Sequence, residues 1–180
     1  HKDPTVRLWA AVAPGLLGDP TSMEALSVMV VEDDEAAVRV AAVDSLAALG
    51  PGREAEAAPA LVFALEDPTL EVKTAACLAL RKVRTTDAVG PLIRILSEEK
   101  GRILEQVLPT LHELTDLQLG DDPAAWVSWW AAAQDRAYRI PSAEELRKRR
   151  EAREATASIY RTARPEAEFL GIPTPSRNVV

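Results

Sequence analysis

The chain has little of what most catalytic chemistry needs. Its 180 residues include one cysteine, Cys77, and two histidines, His1 and His112. A single cysteine excludes an internal disulfide and a cysteine-rich metal site. Neither histidine has a histidine or cysteine three or four residues away to complete a metal pair. Aromatic residues make up only 4% of the chain, so the core must be built mainly from Ala, Leu and Val. No apolar run reaches the roughly 18 residues of a membrane span, and the start does not read as a signal peptide. Strand alternation and Asn-Gly hairpin turns are missing. Gly50-Pro51-Gly52 reads as a helix stop and turn, which leaves no phosphate-binding loop. Glu32-Asp33-Asp34-Glu35 and Asp121-Asp122 sit at helix starts without the alternating oxygens of a calcium loop. These absences predict no catalytic residue, no metal and no cofactor. Cys77 is expected to be a small buried thiol.

What is present is alanine-rich, with 47% hydrophobic and 27% charged residues interleaved, a composition that predicts helices. The net charge of −7 repels phosphate backbones and anionic membranes, so neither is expected as a partner. In residues 66–83, EDPTLEVKTAACLALRKV, Asp67-Pro68 reads as a helix start. Behind it Leu70, Val72, Ala75, Ala76, Ala79, Leu80 and Val83 form one apolar stripe at helical spacing.

That unit recurs. Val6-Arg7, Ala10, Ala13 and Leu17 align with Val38-Arg39, Ala42, Ser45-Leu46 and Leu49. These align with Val72-Lys73, Ala76, Ala79-Leu80 and Val83, and more loosely with Ile103, Val107, Leu111 and Leu114. The offsets are 32, 34 and 31 residues. Preceding helices are expected over 21–32, 54–66 and 87–98, with Pro59 and Pro91 as matching bends. The first unit shows only its second helix, as if the chain began within a repeat. It also starts HKDPTVR without methionine, as a fragment or a processed terminus would.

Helix pairs of this length, stacked in series, make an α-solenoid. APALVFALED-PTLEVKTAACLALRKV resembles a HEAT repeat over about residues 3–115. The resemblance implies a right-handed, all-α solenoid of three to four helical pairs. It also implies a polar ladder between units through Asp33, Arg39, Asp67 and Lys73, ending where Leu104 replaces the basic residue. A second resemblance, to bacterial HEAT proteins ending in Gly-x-Asp-Pro-x-x-Trp-x-x-Trp-Trp, covers the stretch with Trp126, Trp129 and Trp130. That stretch reads as a hydrophobic cap on the last repeat.

Beyond it, Ser142 and Glu145 form a capping box for a charged helix to about residue 163. Residues 140–180 hold 8 basic and 6 acidic side chains, which reads as a solvated helix with i,i+4 pairs. The expected organisation is repeats over 1–115, a Trp-rich cap over 116–139, a charged helix over 140–164 and a Pro-rich tail over 165–180. FLGIPTPSRNVV resembles the lead-in to a von Willebrand factor A domain, which would make the chain the N-terminal part of a larger multidomain protein.

The function implied is a non-catalytic, monomeric scaffold that holds a protein partner on the concave face lined by the second helices. Arg39, Asp44, Lys73 and Arg102 are the expected contacts, although Arg39 and Lys73 also serve the ladder. The alternatives are a HEAT-like enzyme, a DNA glycosylase or a lyase, and a purely structural spacer. The acidic charge speaks against DNA. The compartment is left open, cytoplasmic by default.

Overall fold

The computed structural model describes residues 1–162, with side chains through residue 158, and the expected tail with its von Willebrand-like segment lies outside them. Two compact units are present, His1–Ile140 and Pro141–Val180. Among the described residues there are nine α-helices and no strand.

The first unit alternates second and first helices of the repeat. Second helices are α1 (Pro4–Leu17), α3 (Ala36–Leu49), α5 (Leu70–Val83) and α7 (Leu104–Thr115). First helices are α2 (Met23–Glu32), α4 (Glu54–Phe63) and α6 (Val89–Glu98). Each first helix packs on the second helix that follows it, and consecutive second helices pack on one another. In the later units the periodic positions fulfil their expectation: Val72, Ala76, Leu80, Val107, Leu111 and Leu114 are fully enclosed in one core, whereas Val6, Ala10 and Leu17 of α1 are exposed.

The helix ends differ from the sequence reading in a consistent way. α5 starts at Leu70, not at Asp67-Pro68, because the Asp67 carboxylate accepts from the Thr69 amide and hydroxyl and holds a turn ahead of the helix. The first helices are shorter than expected, with 3₁₀ turns over Pro20–Ser22, Ala64–Glu66 and Thr86–Ala88 at their ends. Pro59 and Pro91 are therefore not equivalent. Pro59 lies inside α4, where it removes an interior amide. Pro91 falls in the first turn of α6, where no intrahelical bond is lost.

α1 and α3 approach one another closely. The Ser45 hydroxyl donates to the Ala11 carbonyl at 2.6 Å. A Cβ on Gly15 would lie 2.8 Å from the Ser45 backbone, so only glycine lets the helices come this near. At the other end, α8 (Pro123–Gln134) packs on α6 as the expected cap. Asp122 caps it by accepting from the Ala124 amide. Trp126 is fully buried, donates to the Gly120 carbonyl and stacks on His112 of α7 at 5.6 Å. Trp129 and Trp130 meet Tyr138 edge-on, and Trp130 lies over Gly90 of α6.

In the second unit α9 (Ala143–Thr162) begins with the expected capping box, Ser142 with Glu145. Arg147–Glu151 and Lys148–Glu144 pair at i,i+4 on its exposed surface.

Two substitutions check this packing. Leu80→Ala should cost about 2–5 kcal/mol in chemical denaturation, as truncations of enclosed leucines do; a loss below about 1 kcal/mol would place the wrong face inside. Gly15→Ala should destabilise despite alanine's roughly 1 kcal/mol advantage in a helix, because the Ser45 backbone has to move.

Candidate functional site

Side chains at the start of each second helix tie neighbouring units together. Arg7 donates through Nε and Nη2 to both oxygens of Asp33, at 2.7 and 3.1 Å. Arg39 does the same to Asp67, at 2.7 and 3.0 Å, and this pair is buried. Lys73 pairs with Glu99. Each arginine also donates to the carbonyls just ahead of its own helix, His1 and Lys2 for Arg7, Asp33 and Asp34 for Arg39. Each aspartate accepts from a backbone amide two residues on, Glu35 for Asp33 and Thr69 for Asp67. The ladder implied by the HEAT resemblance is therefore present, with one rung more than the sequence reading named: Arg7 begins it. Arg7 had a signal in its alignment with Arg39 and Lys73, but Glu99, whose partner lies 26 residues away, had none.

The ladder sets the protonation of its acids. The Arg7 guanidinium holds Asp33 below the ordinary aspartate range. Burial pushes Asp67 upward, but Arg39 and the Thr69 hydroxyl and amide outweigh it and leave Asp67 lowered.

Of the expected contact residues, Arg39 and Lys73 are thus engaged within the protein itself. Arg102 is exposed in the turn before α7. Asp44 lies elsewhere, in a shallow groove of about 390 Å³ between α1 and α3. Leu8, Val12, Leu16, Val40 and Ala48 form its apolar walls, with Gly15 and Ser45 where the helices meet. The neighbouring apolar surface strips water from Asp44 and raises its pKa, with Lys82 opposing only in part. Among the described residues no hydrogen bond or ion pair engages the Asp44 carboxylate, and the side chain remains exposed. The groove itself was invisible in the sequence, because it exists only through the Gly15–Ser45 approach.

The remaining candidates for chemistry are structural. Cys77 is fully buried against Thr110, and burial pushes its thiol up to about 12. His112 stacks on Trp126. Among the described residues no His, Cys, Asp and Glu cluster could hold a metal ion, and no helix is long and apolar enough to cross a membrane.

Two overlapping segments, residues 1–69 and 30–111, match the family profile of HEAT repeats. No curated protein matches the chain.

The ladder makes stability depend on acid. Asp33 and Asp67 have folded pKa values below their unfolded ones. Their contribution is therefore complete above the ordinary aspartate pKa of about 3.9 and is lost as pH falls through the lowered folded values. Denaturant midpoints should stay level from about pH 7 to 5 and drop below about pH 4. Asp67→Ala should cost about 3 kcal/mol at pH 7, because it strands the buried Arg39, and should flatten the acid limb.

Proposed function

The chain belongs to the HEAT-repeat family, whose repeats generally serve as protein-interaction scaffolds, and we propose that it binds a protein segment in the α1–α3 groove with Asp44 as the polar anchor. The observation that carries this reading is Asp44 itself. A carboxylate set beside apolar walls, with only the Lys82 charge opposing, loses part of its hydration there. A lysine, arginine or free backbone amide from a partner would relieve that cost on binding, while the apolar walls take an aliphatic side chain. Arg39 and Lys73 hold the ladder, and Arg102 lies outside the groove lining. The family's repeats are typically non-catalytic, and the groove's hydroxyl, Ser45, is committed to the Ala11 carbonyl.

The sign of the Asp44 shift gives a distinctive test. Its folded pKa lies above the unfolded one, so at pH 7 ionisation works against folding, and removing the charge relieves the fold. Asp44→Asn should leave Tm unchanged or raise it. A photo-crosslinking residue at Ala48, which lines the groove, should capture a protein that the same residue at Ala25 of α2 does not. Asp44→Lys should then weaken the affinity for that protein at least tenfold. Equal capture from both positions, or an affinity indifferent to Asp44→Lys, would remove the groove as the binding site.

A further inference from the structure

The first helices carry a surface of their own. Between α2 and α4 lies a shallow groove of about 400 Å³, walled by Val28, Val31, Pro59 and Phe63. Val28, Val31 and Phe63 are each about half exposed, at 49%, 46% and 53%. α2 and α4 are consecutive first helices in contact with one another, and the groove is bounded by both. Its lip is acidic. Glu24 and Glu32 line it from α2, two turns and so about 12 Å apart along the helix. Neither α2 nor α4 contains a lysine, arginine or histidine. Glu54 and Glu56 of α4 are engaged, by the Gly52 amide and by Arg53. Among the described residues no hydrogen bond or ion pair engages Glu24 or Glu32.

The next interval of the stack shows what such a carboxylate receives. Glu66 stands directly before the ladder residue Asp67, as Glu32 stands directly before Asp33. Arg94 of the following first helix, α6, pairs with Glu66. Arg94 lies midway between the buried Leu92 and Leu96. In the unit before, the residue midway between the buried Leu61 and Leu65 is Phe63. The place that supplies a guanidinium to Glu66 thus supplies an aromatic ring to the groove beside Glu32. Glu32 lacks the cation that its counterpart has, and an apolar wall stands in its stead.

We infer that the α2–α4 groove is a docking surface for a basic amphipathic helix of a partner protein. An arginine of that helix meets Glu32 as Arg94 meets Glu66, and a second basic residue two turns away meets Glu24. Aliphatic side chains between the two cover Val28, Val31 and Phe63. Among the described residues no strand edge is present to pair the amides of an extended segment, so the docked segment satisfies its own backbone as a helix. The apolar contact supplies the affinity, and the two carboxylates set orientation and association rate. The groove shares no residue with the one around Asp44, and neither depends on the other.

The probe is a fluorescently labelled helical peptide of alanine and glutamine. It carries two arginines seven positions apart, with leucines at the third and fourth positions between them. Titrated with the full 180-residue chain at physiological salt, it should show a saturable rise in anisotropy. Phe63→Arg, which gives Glu32 the cation that Glu66 has, should weaken binding at least tenfold. Val28→Lys should do the same, and both changes fall at half-exposed positions that leave folding intact. Glu32→Gln should weaken binding at least threefold, and a peptide with serines in place of the leucines should not bind. Glu105→Gln, at an exposed position of α7, should leave the affinity within twofold, which separates the groove from the overall charge of −7. The proposal fails if anisotropy does not rise up to millimolar protein, or if Phe63→Arg and Val28→Lys bind as well as the parent. It fails equally if the serine peptide binds as tightly, or if Glu105→Gln weakens binding as much as Glu32→Gln. A stable dimer in sedimentation that Phe63→Arg dissociates would also overturn it, because a second copy would then be the occupant.

Discussion

The structure depends on a carboxylate that serves two units at once. Asp67 closes the turn ahead of α5 through its Oδ1, which accepts from the Thr69 amide and hydroxyl, and Oδ1 and Oδ2 together receive the Arg39 fork from the unit before. Asp33 repeats the arrangement with Glu35 and Arg7. A local turn and a long-range contact are thereby made by one group, so a unit cannot shift along its neighbour without losing its own helix start. A buried ion pair contributes modest net stability, because desolvation offsets much of the attraction. What it contributes here is register. Aliphatic helices built on Ala, Leu and Val could otherwise slide past one another by a turn at small cost.

The ladder weakens along the chain, and a different device replaces it. The planar fork of Arg39 meets both oxygens of a buried aspartate, whereas Lys73 offers a point charge to Glu99, whose side chain is 37% exposed. After that, Leu104 stands at the basic position. There the α5–α7 contact is held instead by Arg84, which donates to the carbonyls of Glu113 and Leu114 at the end of α7, and by the Arg81–Glu113 pair. Beyond α7 the aromatic cap takes over, with Trp126 enclosed and Trp129 and Trp130 closing over α6. With aromatics at only 4% of the chain, three of them are concentrated over the apolar end of the last repeat.

The repeat, the core stripe and the cap could be read from the sequence because each is written in local spacing. Ala76, Leu80, Val107 and Leu111 fall at helical intervals and all are enclosed. What could not be read depends on distances between helices. Asp67 looked like a helix cap because its partner Arg39 lies 28 residues earlier. Pro59 and Pro91 looked equivalent because a short 3₁₀ turn leaves no mark in hydrophobic spacing. The α1–α3 groove follows from one glycine against one serine. Asp44, by contrast, was expected as a contact from its place on a second helix, and its unpaired, partly desolvated carboxylate now distinguishes it from Arg39 and Lys73, which resembled it in sequence but have partners within the fold.

Repetition also lets the chain separate structure from recognition within itself. Positions that hold the stack keep one chemistry over the units that use them: Arg7, Arg39 and Lys73 on the ladder, Ala42, Ala76 and Val107 in the core. The position of Asp44 does not. Its equivalents are Val12, Leu78 and Pro109, so one place on four successive second helices carries four unlike side chains, and Asp44, Leu78 and Pro109 are exposed. Packing constrains neither charge nor shape there, so a partner could select them one unit at a time. A scaffold of this kind needs its invariant residues buried and its variable ones displayed, and the second helices divide in that way.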